Sequence, residues 1–457
     1  MRALMCLAVL LTACGSRSAL NDSTPPAQVS DADPCAPPLV DACAESYASA
    51  PAGTELWSTS PDVGTASLIG PAAADERGTT FFLAAEGGLY LKKVFALDAC
   101  GALRWQVDVS QWLPGSGYVP QVMVTGGHLL LVTVGALVAL DPDTGELVWI
   151  ADLDAFAEGG GLGVSPGKVQ SLGYTAARKD GTVFSVVAND SDAWIVKVTP
   201  SGKPSPVAKV ASYVGGFGYP LGKQQFVLDS AGHIVLAGGT QDRVEAFTAA
   251  GKSVFSAEVP SWGVGGYLAS GPSYVTGWYL WLMSLDGTLM NDSVGGGPNF
   301  ISWGNATVID EAGELFSIGA RNLSPGTSKQ TFDLVGRFSA TGDPKWSIIG
   351  SDSWIGGPIL DDGDHVLLIT GPSFEAGTTT KLSALNRANG LPAWQRELPP
   401  SGKVPSRWLL QNAAGALVTV VDDRVHAYAS GGTQPPTCAW WPTPQGGLGQ
   451  RRAPRGI

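Results

Sequence analysis

The chain has 457 residues, including 60 glycines, 32 prolines and 15 tryptophans, and charged residues make up only 15% of it. Its formal net charge of −12 argues against a protein that binds nucleic acid by neutralising phosphates. Stretches with helical periodicity are hard to find, whereas short apolar runs between turn residues are common. The composition therefore predicts an all-β protein, long enough for several domains or for one large repeat array.

The amino terminus resembles the signal peptide of a lipoprotein. Arg2 supplies a positive charge, and the apolar stretch over residues 3–11 is too short to cross a bilayer as a helix. The sequence Leu-Thr-Ala-Cys-Gly at 11–15 resembles a bacterial lipobox, which predicts cleavage of residues 1–13 and lipidation of Cys14. Glycine at position 15, where aspartate is absent, predicts sorting to the outer membrane. The alternative is an ordinary secretory peptide in which Cys14 has no role.

Residues 14–52 are rich in serine, alanine and proline, which predicts a tether between the lipid and a folded body. An even number of further cysteines in an exported chain favours disulfide bonds. The candidates are Cys35, Cys43, Cys100 and Cys438. The simplest pairing joins Cys35 to Cys43, but all three pairings remain open. A metal site is less favoured, because no Cys-x-x-Cys spacing occurs.

From residue 53 onward, a glycine recurs four residues before a tryptophan or before a residue in its place. The clearest copies are Gly53 with Trp57, Gly101 with Trp105, Gly145 with Trp149, Gly342 with Trp346 and Gly390 with Trp394, and weaker copies begin at Gly202, Gly251 and Gly287. These eight glycines lie 36 to 57 residues apart. A period of this length indicates one supersecondary unit repeated along the chain.

One repeat can be followed in detail between residues 121 and 149. Apolar runs at 121–125, 128–134 and 137–141 predict three strands, and Trp149 lies in a fourth after the turn that ends at Gly145. A glycine there supplies the positive φ of a tight hairpin, and an aspartate such as Asp98 or Asp141 at its start can accept backbone hydrogen bonds. Four antiparallel strands per repeat are typical of a β-propeller blade.

The two ends of the array predict how the ring closes. The last repeat offers three strands between residues 409 and 428, and a spare copy of the pattern lies at Gly53–Trp57. We expect residues 54–59 to supply the missing outer strand, which leaves no open sheet edge. The prediction is an eight-bladed propeller over residues 53–432, with seven blades as the alternative because the repeat near 274–290 is compressed. Residues 433–457 form a C-terminal tail.

The segments 96–105, 139–149 and 384–394 each contain Ala-Leu-Asp or Ala-Leu-Asn, a short turn with glycine and then tryptophan. They resemble the repeat of pyrroloquinoline-quinone-type propellers. That resemblance implies the fold but not an activity, because the repeat occurs in quinoprotein dehydrogenases and in proteins that bind no quinone. The dehydrogenases use an adjacent cysteine pair and acidic calcium ligands, and neither is found here. The non-catalytic branch includes the lipoprotein subunit of the outer-membrane β-barrel assembly machinery.

Candidate chemistry elsewhere has a simpler structural interpretation. His128, His233 and His365 occupy the same repeat position, the start of a second strand, so we expect them far apart rather than around one metal ion. Gly251-Lys252-Ser253 follows a loose phosphate-loop pattern, but the glycine is a hairpin residue and a strand follows. The acidic run 361–364 is expected to be a solvated turn, since the full calcium-loop spacing is absent.

The sequence thus predicts a non-catalytic, exported lipoprotein anchored through Cys14, with no catalytic, cofactor-binding or metal-binding residues assigned. Its partner would be a protein or a glycan, and envelope assembly is one context. The alternatives are a quinone- and calcium-dependent dehydrogenase and a carbohydrate-binding propeller. Tryptophans available for sugar or peptide contact are Trp262, Trp278, Trp281, Trp303 and Trp354, although most are expected to be buried between blades.

Overall fold

The computed structural model describes most of the chain between residues 47 and 431. The described residues are 47, 49–86, 90–113, 121–162, 170–188, 192–210, 225–238, 243–258, 268–276, 281–291, 300–321, 331–349, 353–371, 379–402 and 408–431. The predicted signal peptide, most of the tether and the C-terminal tail lie outside them, as do Cys14, Cys35, Cys43 and Cys438. Cys100 is disulfide-bonded.

The described strands form eight four-stranded antiparallel sheets. Strand β1 (Glu55–Thr59) precedes the first complete sheet. Sheets 1 to 4 take the next sixteen strands in chain order. These are β2 (Ser67–Ala74), β3 (Thr80–Glu86), β4 (Tyr90–Leu97), β5 (Leu103–Asp108); β6 (Gln121–Thr125), β7 (His128–Val132), β8 (Ala136–Leu140), β9 (Leu147–Asp152); β10 (Gln170–Ala177), β11 (Val183–Ala188), β12 (Ala193–Val198), β13 (Pro204–Val210); and β14 (Gln225–Leu228), β15 (Ile234–Gly238), β16 (Arg243–Phe247), β17 (Ser253–Glu258).

Sheets 5 to 8 follow the same order, and β1 completes sheet 8. Their strands are β18 (Leu268–Ser270), β19 (Tyr274–Thr276), β20 (Trp281–Met283), β21 (Leu289–Asn291); β22 (Phe300–Ile309), β23 (Leu315–Arg321), β24 (Thr331–Phe338), β25 (Pro344–Ile349); β26 (Ser353–Leu360), β27 (His365–Gly371), β28 (Lys381–Asn386), β29 (Pro392–Glu397); and β30 (Leu410–Gln411), β31 (Ala416–Val421), β32 (Arg424–Ala429). Sheet 5 is built of three-residue strands, as its short repeat predicts. A four-residue helix, α1 (Leu153–Phe156), leads into a π-helical turn over Ala157–Gly161.

The sheets are arranged in a ring. The first strand of each sheet contacts the first strand of the next, and β30 of sheet 8 contacts β2 of sheet 1. The architecture is therefore an all-β propeller of four-stranded antiparallel blades. The apolar core lies between neighbouring sheets. Phe82 and Phe95 of sheet 1, for example, belong to one buried cluster with Val418 and Val425 of sheet 8.

Strand β1 completes sheet 8 from the other end of the chain. It runs antiparallel to β32, with Trp57 opposite Ala427 and Thr59 opposite Val425. Backbone hydrogen bonds between Gly53 and Ala429 (2.8 Å) and between Ala429 and Thr54 (2.9 Å) extend this pairing. The outer edge of sheet 8 is thus covered by the segment that the spare Gly53–Trp57 copy predicts for that place.

The folded body begins before residue 53. Tyr47 lies in the segment predicted to be a tether, yet it is buried and its hydroxyl donates to the carbonyl of Ala99 at 2.7 Å. The indole of Trp57 donates to the same carbonyl at 3.0 Å. The end of the predicted tether therefore packs on the hairpin of sheet 1 that contains Cys100.

Candidate functional site

Each outer-strand tryptophan contacts the hairpin of the next sheet rather than its own. The indole N–H of Trp105, in sheet 1, donates to the carbonyl of Pro142 in sheet 2 at 2.9 Å. A Cβ added to Gly145 would lie 2.6 Å from the ring of Trp105, and Gly145 has a φ of +75°. Glycine is needed there for the positive φ and for the close approach of the indole. We call this contact the Trp–Gly joint.

The joint recurs around the ring. The equivalent pairs are Trp57 with Gly101, Trp149 with Gly202, Phe255 with Gly287, Trp346 with Gly390 and Trp394 with Gly53. Trp394 connects sheet 7 to the residue that leads into β1. Its indole nitrogen is buried without a hydrogen-bond partner among the described residues. The repeated residues thus hold neighbouring sheets together, a pairing that the pattern of single repeats does not reveal.

The predicted hairpin aspartates bind backbone amides within their own turns. Asp98 accepts from the amides of Cys100 (2.9 Å) and Ala102 (2.8 Å). Asp141 accepts from the amides of Asp143 (2.7 Å) and Thr144 (3.0 Å). In sheet 6, Gly342 has a φ of +90° and closes the same type of turn.

A second capping residue, which the sequence analysis missed, ends the first strand of several sheets. Its side-chain oxygen accepts two backbone N–H groups of the turn that leads into the second strand. Such residues are Asp75, Asp229, Asp310, Asp361 and Asn412. The available signal was an Asp or Asn four or five residues before the start of a second strand, with glycine between them. Asp361 is fully buried, so the prediction of a solvated turn at 361–364 was wrong for this residue.

Two of the three predicted histidines pair with these capping carboxylates. The Nδ1 atoms of His233 and His365 lie 2.9 Å from the Oδ2 atoms of Asp229 and Asp361. The hydrogen bond to Asp361 raises the pKa of His365, although burial opposes the shift. His128 instead lies edge-on to Trp149.

His128, His233 and His365 belong to sheets 2, 4 and 7, respectively. Among the described residues, no group of three or more metal-ligating side chains occurs. The fourth histidine, His426, lies 2.9 Å from Glu55 and so connects β32 to β1. Trp281, a candidate for ligand contact, is 3% exposed and belongs to the core of sheets 4 to 6.

Charged residues connect the turns of sheets 6 and 7. Arg387, which is 6% exposed, lies 3.0 Å from Asp364 and 3.4 Å from Glu311. Burial alone would raise the pKa of Glu314, but hydrogen bonds from Lys345 and Arg337 lower it. These contacts hold neighbouring turns together. The charged groups in them pair with one another and do not face a common position as a catalytic acid and base would.

The two ends of the ring differ. We call one end the turn face; it carries the turns between first and second strands and the hairpins between third and fourth strands, such as 75–79 and 98–102. Several of its Asp and Asn side chains, such as Asp75 and Asn412, cap the turns. We call the other end the loop face. It carries the described ends of connections between sheets, such as 398–402 and 408–409, and the turn at Asp422 and Asp423 between β31 and β32.

The described residues do not fit a quinone and calcium site of the dehydrogenase type. No two cysteines are adjacent anywhere in the sequence. The buried carboxylates of the described part are spread over different sheets, where they cap turns, form ion pairs or, as Glu245 does, accept from a hydroxyl, and no group of three of them lies together.

Comparison with known proteins agrees with this fold. Residues 46–155 and 91–235 match the family model described as outer membrane protein assembly factor BamB. That part of the chain is thus similar to PQQ-type propeller repeats. A comparison with curated protein sequences finds no match.

Solved structures with the same fold have different activities. The quinohemoprotein alcohol dehydrogenase of Comamonas testosteroni is 12% identical, with 83% of this chain and 76% of that chain covered and a TM-score of 0.53. Sqt1 of Chaetomium thermophilum, bound to the N-terminus of ribosomal protein L10, is 11% identical, with 82% and 100% covered and a TM-score of 0.52. At such identities the likeness shows the fold alone, and it does not decide between catalysis and binding.

No helix in the described part of the chain is both long enough and apolar enough to cross a membrane.

Proposed function

We propose that this protein is a non-catalytic lipoprotein of the cell envelope, whose propeller is a scaffold that binds a protein or glycan partner. In this proposal the ring has eight blades, and sheet 5 is a compressed blade. The observation that carries the proposal is the match of residues 46–155 and 91–235 to the assembly-factor family. Envelope assembly is accordingly the proposed context.

The contacts of the ring support a rigid binding platform. Six of the eight pairs of neighbouring sheets are locked by such joints, one of them through Phe255, and Trp105 adds a 2.9 Å hydrogen bond to Pro142. On the turn face, the side-chain oxygens of residues such as Asp310 and Asn412 already accept backbone N–H groups. The loop face is therefore the proposed binding face, because connections between strands tolerate variation and carry most binding residues.

The lipid anchor follows from the lipobox-like sequence at 11–15 and belongs to the same proposal. Lipidation of Cys14 after removal of residues 1–13 would attach the chain stably to the outer membrane, since several acyl chains add their burial energies. Labelling with a radioactive fatty acid should mark the wild-type protein and not the Cys14→Ser variant. Equal labelling of both would overturn the anchor.

The binding role is tested by photo-crosslinking in intact cells. A photoreactive residue at Asp422 on the loop face should capture a reproducible envelope partner. The same residue at Thr144, in a turn-face hairpin, is the matched control and should capture less of it. No reproducible partner from either position, or turnover of a substrate by the purified protein, would overturn the proposal.

The dehydrogenase alternative rests on the likeness to quinohemoprotein alcohol dehydrogenase. Adding pyrroloquinoline quinone and Ca²⁺ to the purified protein distinguishes the two functions. A stoichiometric quinone absorbance band together with alcohol oxidation would favour the enzyme. The scaffold proposal expects neither.

A further inference from the structure

The outer strand of sheet 2, β9, exposes three large apolar side chains. Leu147 is 38% exposed, Val148 47% and Ile150 43%. Strand β9 is the last strand of its sheet, and no described strand pairs with its outer side. An edge strand presents a row of backbone N–H and C=O groups on which another strand can be added, above all where its side chains are apolar. The outer edge of sheet 2 is therefore a candidate docking surface.

The outer strands of the other sheets carry features that discourage such pairing. Strands β13, β25 and β29 each begin with a proline. Strand β21 has only three residues, and no large apolar side chain of β1 is exposed. Strand β5 exposes Arg104 and Asp108 beside Leu103, and β17 exposes Val254 between serines. Strand β9 has no proline, lysine or arginine, so it lacks the usual protection of a sheet edge.

The position of β9 is fixed by packing on both of its neighbours in the ring. Trp149 lies against Gly202 of sheet 3 in a Trp–Gly joint. Ile150 lies opposite Val138, whose side chain belongs to the buried cluster that sheet 2 shares with sheet 1. After a bulge at Val148, pairing with β8 is regular over residues 149–152. A strand held in this way loses little freedom when another strand is added to it.

Exposed carboxylates lie at both ends of β9. Glu146 precedes the strand and Asp152 ends it. Neither side chain forms an ion pair with another described residue, although Asp152 accepts from the amide of Ala155 at 2.8 Å. Two carboxylates favour a partner strand that has lysine or arginine near each of its ends.

The same charges disfavour a second copy of this chain as the occupant. Antiparallel pairing of two β9 strands centred on Trp149 would place Glu146 of one copy opposite Asp152 of the other, at both ends. Like charges directly opposite each other destabilise a strand pair. The C-terminal tail of this chain, residues 433–457, is also unsuitable, because proline and glycine interrupt its sequence repeatedly. The occupant that fits this edge is therefore a strand of a different protein.

We propose that β9 binds an added β-strand of a partner protein, with apolar residues along that strand and a basic residue near each end. Backbone hydrogen bonds would supply the affinity, and contacts with Val148, Ile150 and the two carboxylates would supply the selectivity. This site lies on the outer rim of the ring. It therefore goes beyond the proposed loop-face site, and it does not require the lipid anchor.

The test is titration of a fluorescein-labelled peptide, Lys-Thr-Val-Thr-Val-Thr-Lys, with the full-length Cys14→Ser protein, followed by fluorescence anisotropy. The peptide should bind the parent protein. Ile150→Lys should weaken binding about tenfold or more, because a lysine on an edge strand opposes strand addition. A peptide with glutamate in place of both lysines should bind about tenfold more weakly than the lysine peptide. Glu146→Gln should reduce this difference between the two peptides.

The matched control is Val254→Lys, which places the same charge on the outer strand of sheet 4. Val254 is 40% exposed, close to the 43% of Ile150. This variant should bind the lysine peptide as the parent does. Both lysine variants change exposed side chains, so both should keep the thermal unfolding temperature of the parent.

Absence of binding to the lysine peptide, or equal weakening by Ile150→Lys and Val254→Lys, would overturn the inference. A dimer of the parent protein in sedimentation that Ile150→Lys abolishes would assign the edge to a second copy and would overturn it too. None of these results concerns the loop-face partner, because crosslinking from Asp422 tests that partner separately.

Discussion

The indole of Trp105 lies against Gly145 of the neighbouring sheet, where a Cβ would come within 2.6 Å of the ring. Gly145→Ala should therefore destabilise the protein by about 3 kcal/mol or more. The positive φ contributes about 1–2 kcal/mol of this cost, and displacement of the indole contributes the rest. Chemical denaturation followed by tryptophan fluorescence measures the change.

Gly127→Ala is the matched control for this prediction. Gly127 has a φ of +74°, close to the +75° of Gly145, but nothing lies within 4 Å of its added Cβ. The control should lose only the backbone contribution of about 1–2 kcal/mol. If both variants lose the same stability, the indole contact contributes nothing and the joint is not a stabilising feature.

The hydrogen bond of the joint can be tested separately from its packing. Trp346 donates its indole N–H to the carbonyl of Arg387 at 2.8 Å, whereas the nitrogen of Trp394 has no partner among the described residues. Trp346→Phe should cost about 1 kcal/mol more than Trp394→Phe, the net contribution of one hydrogen bond. Equal losses of stability in thermal or urea unfolding would contradict a stabilising role for the hydrogen bond of Trp346.

His365 should make stability depend on pH. Its hydrogen bond to Asp361 raises its pKa above the unfolded value of 6.5. The protonated histidine therefore stabilises the folded protein fully below about pH 6.5, and this contribution is lost as pH rises through the folded pKa. The difference in free energy of unfolding between wild type and His365→Gln should be larger at pH 6 than at pH 9.

Asp361→Asn provides the control for the pH effect. Asn412 fills the same place in sheet 8 and accepts two backbone N–H groups, so asparagine can keep the cap. In the Asp361→Asn background, His365→Gln should give a difference that no longer changes between pH 6 and pH 9. A persistent change would assign the effect to other groups.

The buried cap at Asp229 should be sensitive to loss of its oxygens. Asp229 accepts from the amide of His233 at 2.7 Å and from the hydroxyl of Tyr274 at 2.6 Å, and burial raises the pKa of Tyr274. Asp229→Ala should cost about 3 kcal/mol or more, since several buried donors lose their acceptor. Asp229→Asn should cost clearly less in the same denaturation experiment. Equal costs would show that the side-chain oxygen is not the stabilising group.

Much of the fold could be predicted because its signals are local. Gly145 marks a hairpin through the φ that the turn requires, and the spare Gly53–Trp57 copy predicted the position of β1. The joints between sheets could not be predicted, because the contact of Trp105 with Gly145 joins residues of different repeats. The buried state of Asp361 was also missed, since an acidic run resembles a solvated turn until its backbone partners are known.

The candidate binding face was less predictable. The turn face repeats in every sheet, whereas the loop face is formed by connections of unequal length without a common pattern. Trp408 shows the difficulty, because its indole lies against Gly70, which is far away in the sequence. The likeness to propellers of different activity supports the fold of this chain but does not identify a ligand.

The central claim is that a ring of four-stranded blades is closed by β1 pairing with β32. Hydrogen–deuterium exchange of residues 55–59 in the full-length protein tests it most directly. The account predicts slow exchange in this segment, comparable with that of its partner strand β32. Exchange of residues 55–59 as fast as in an unstructured peptide, while β32 stays protected, would contradict the closure.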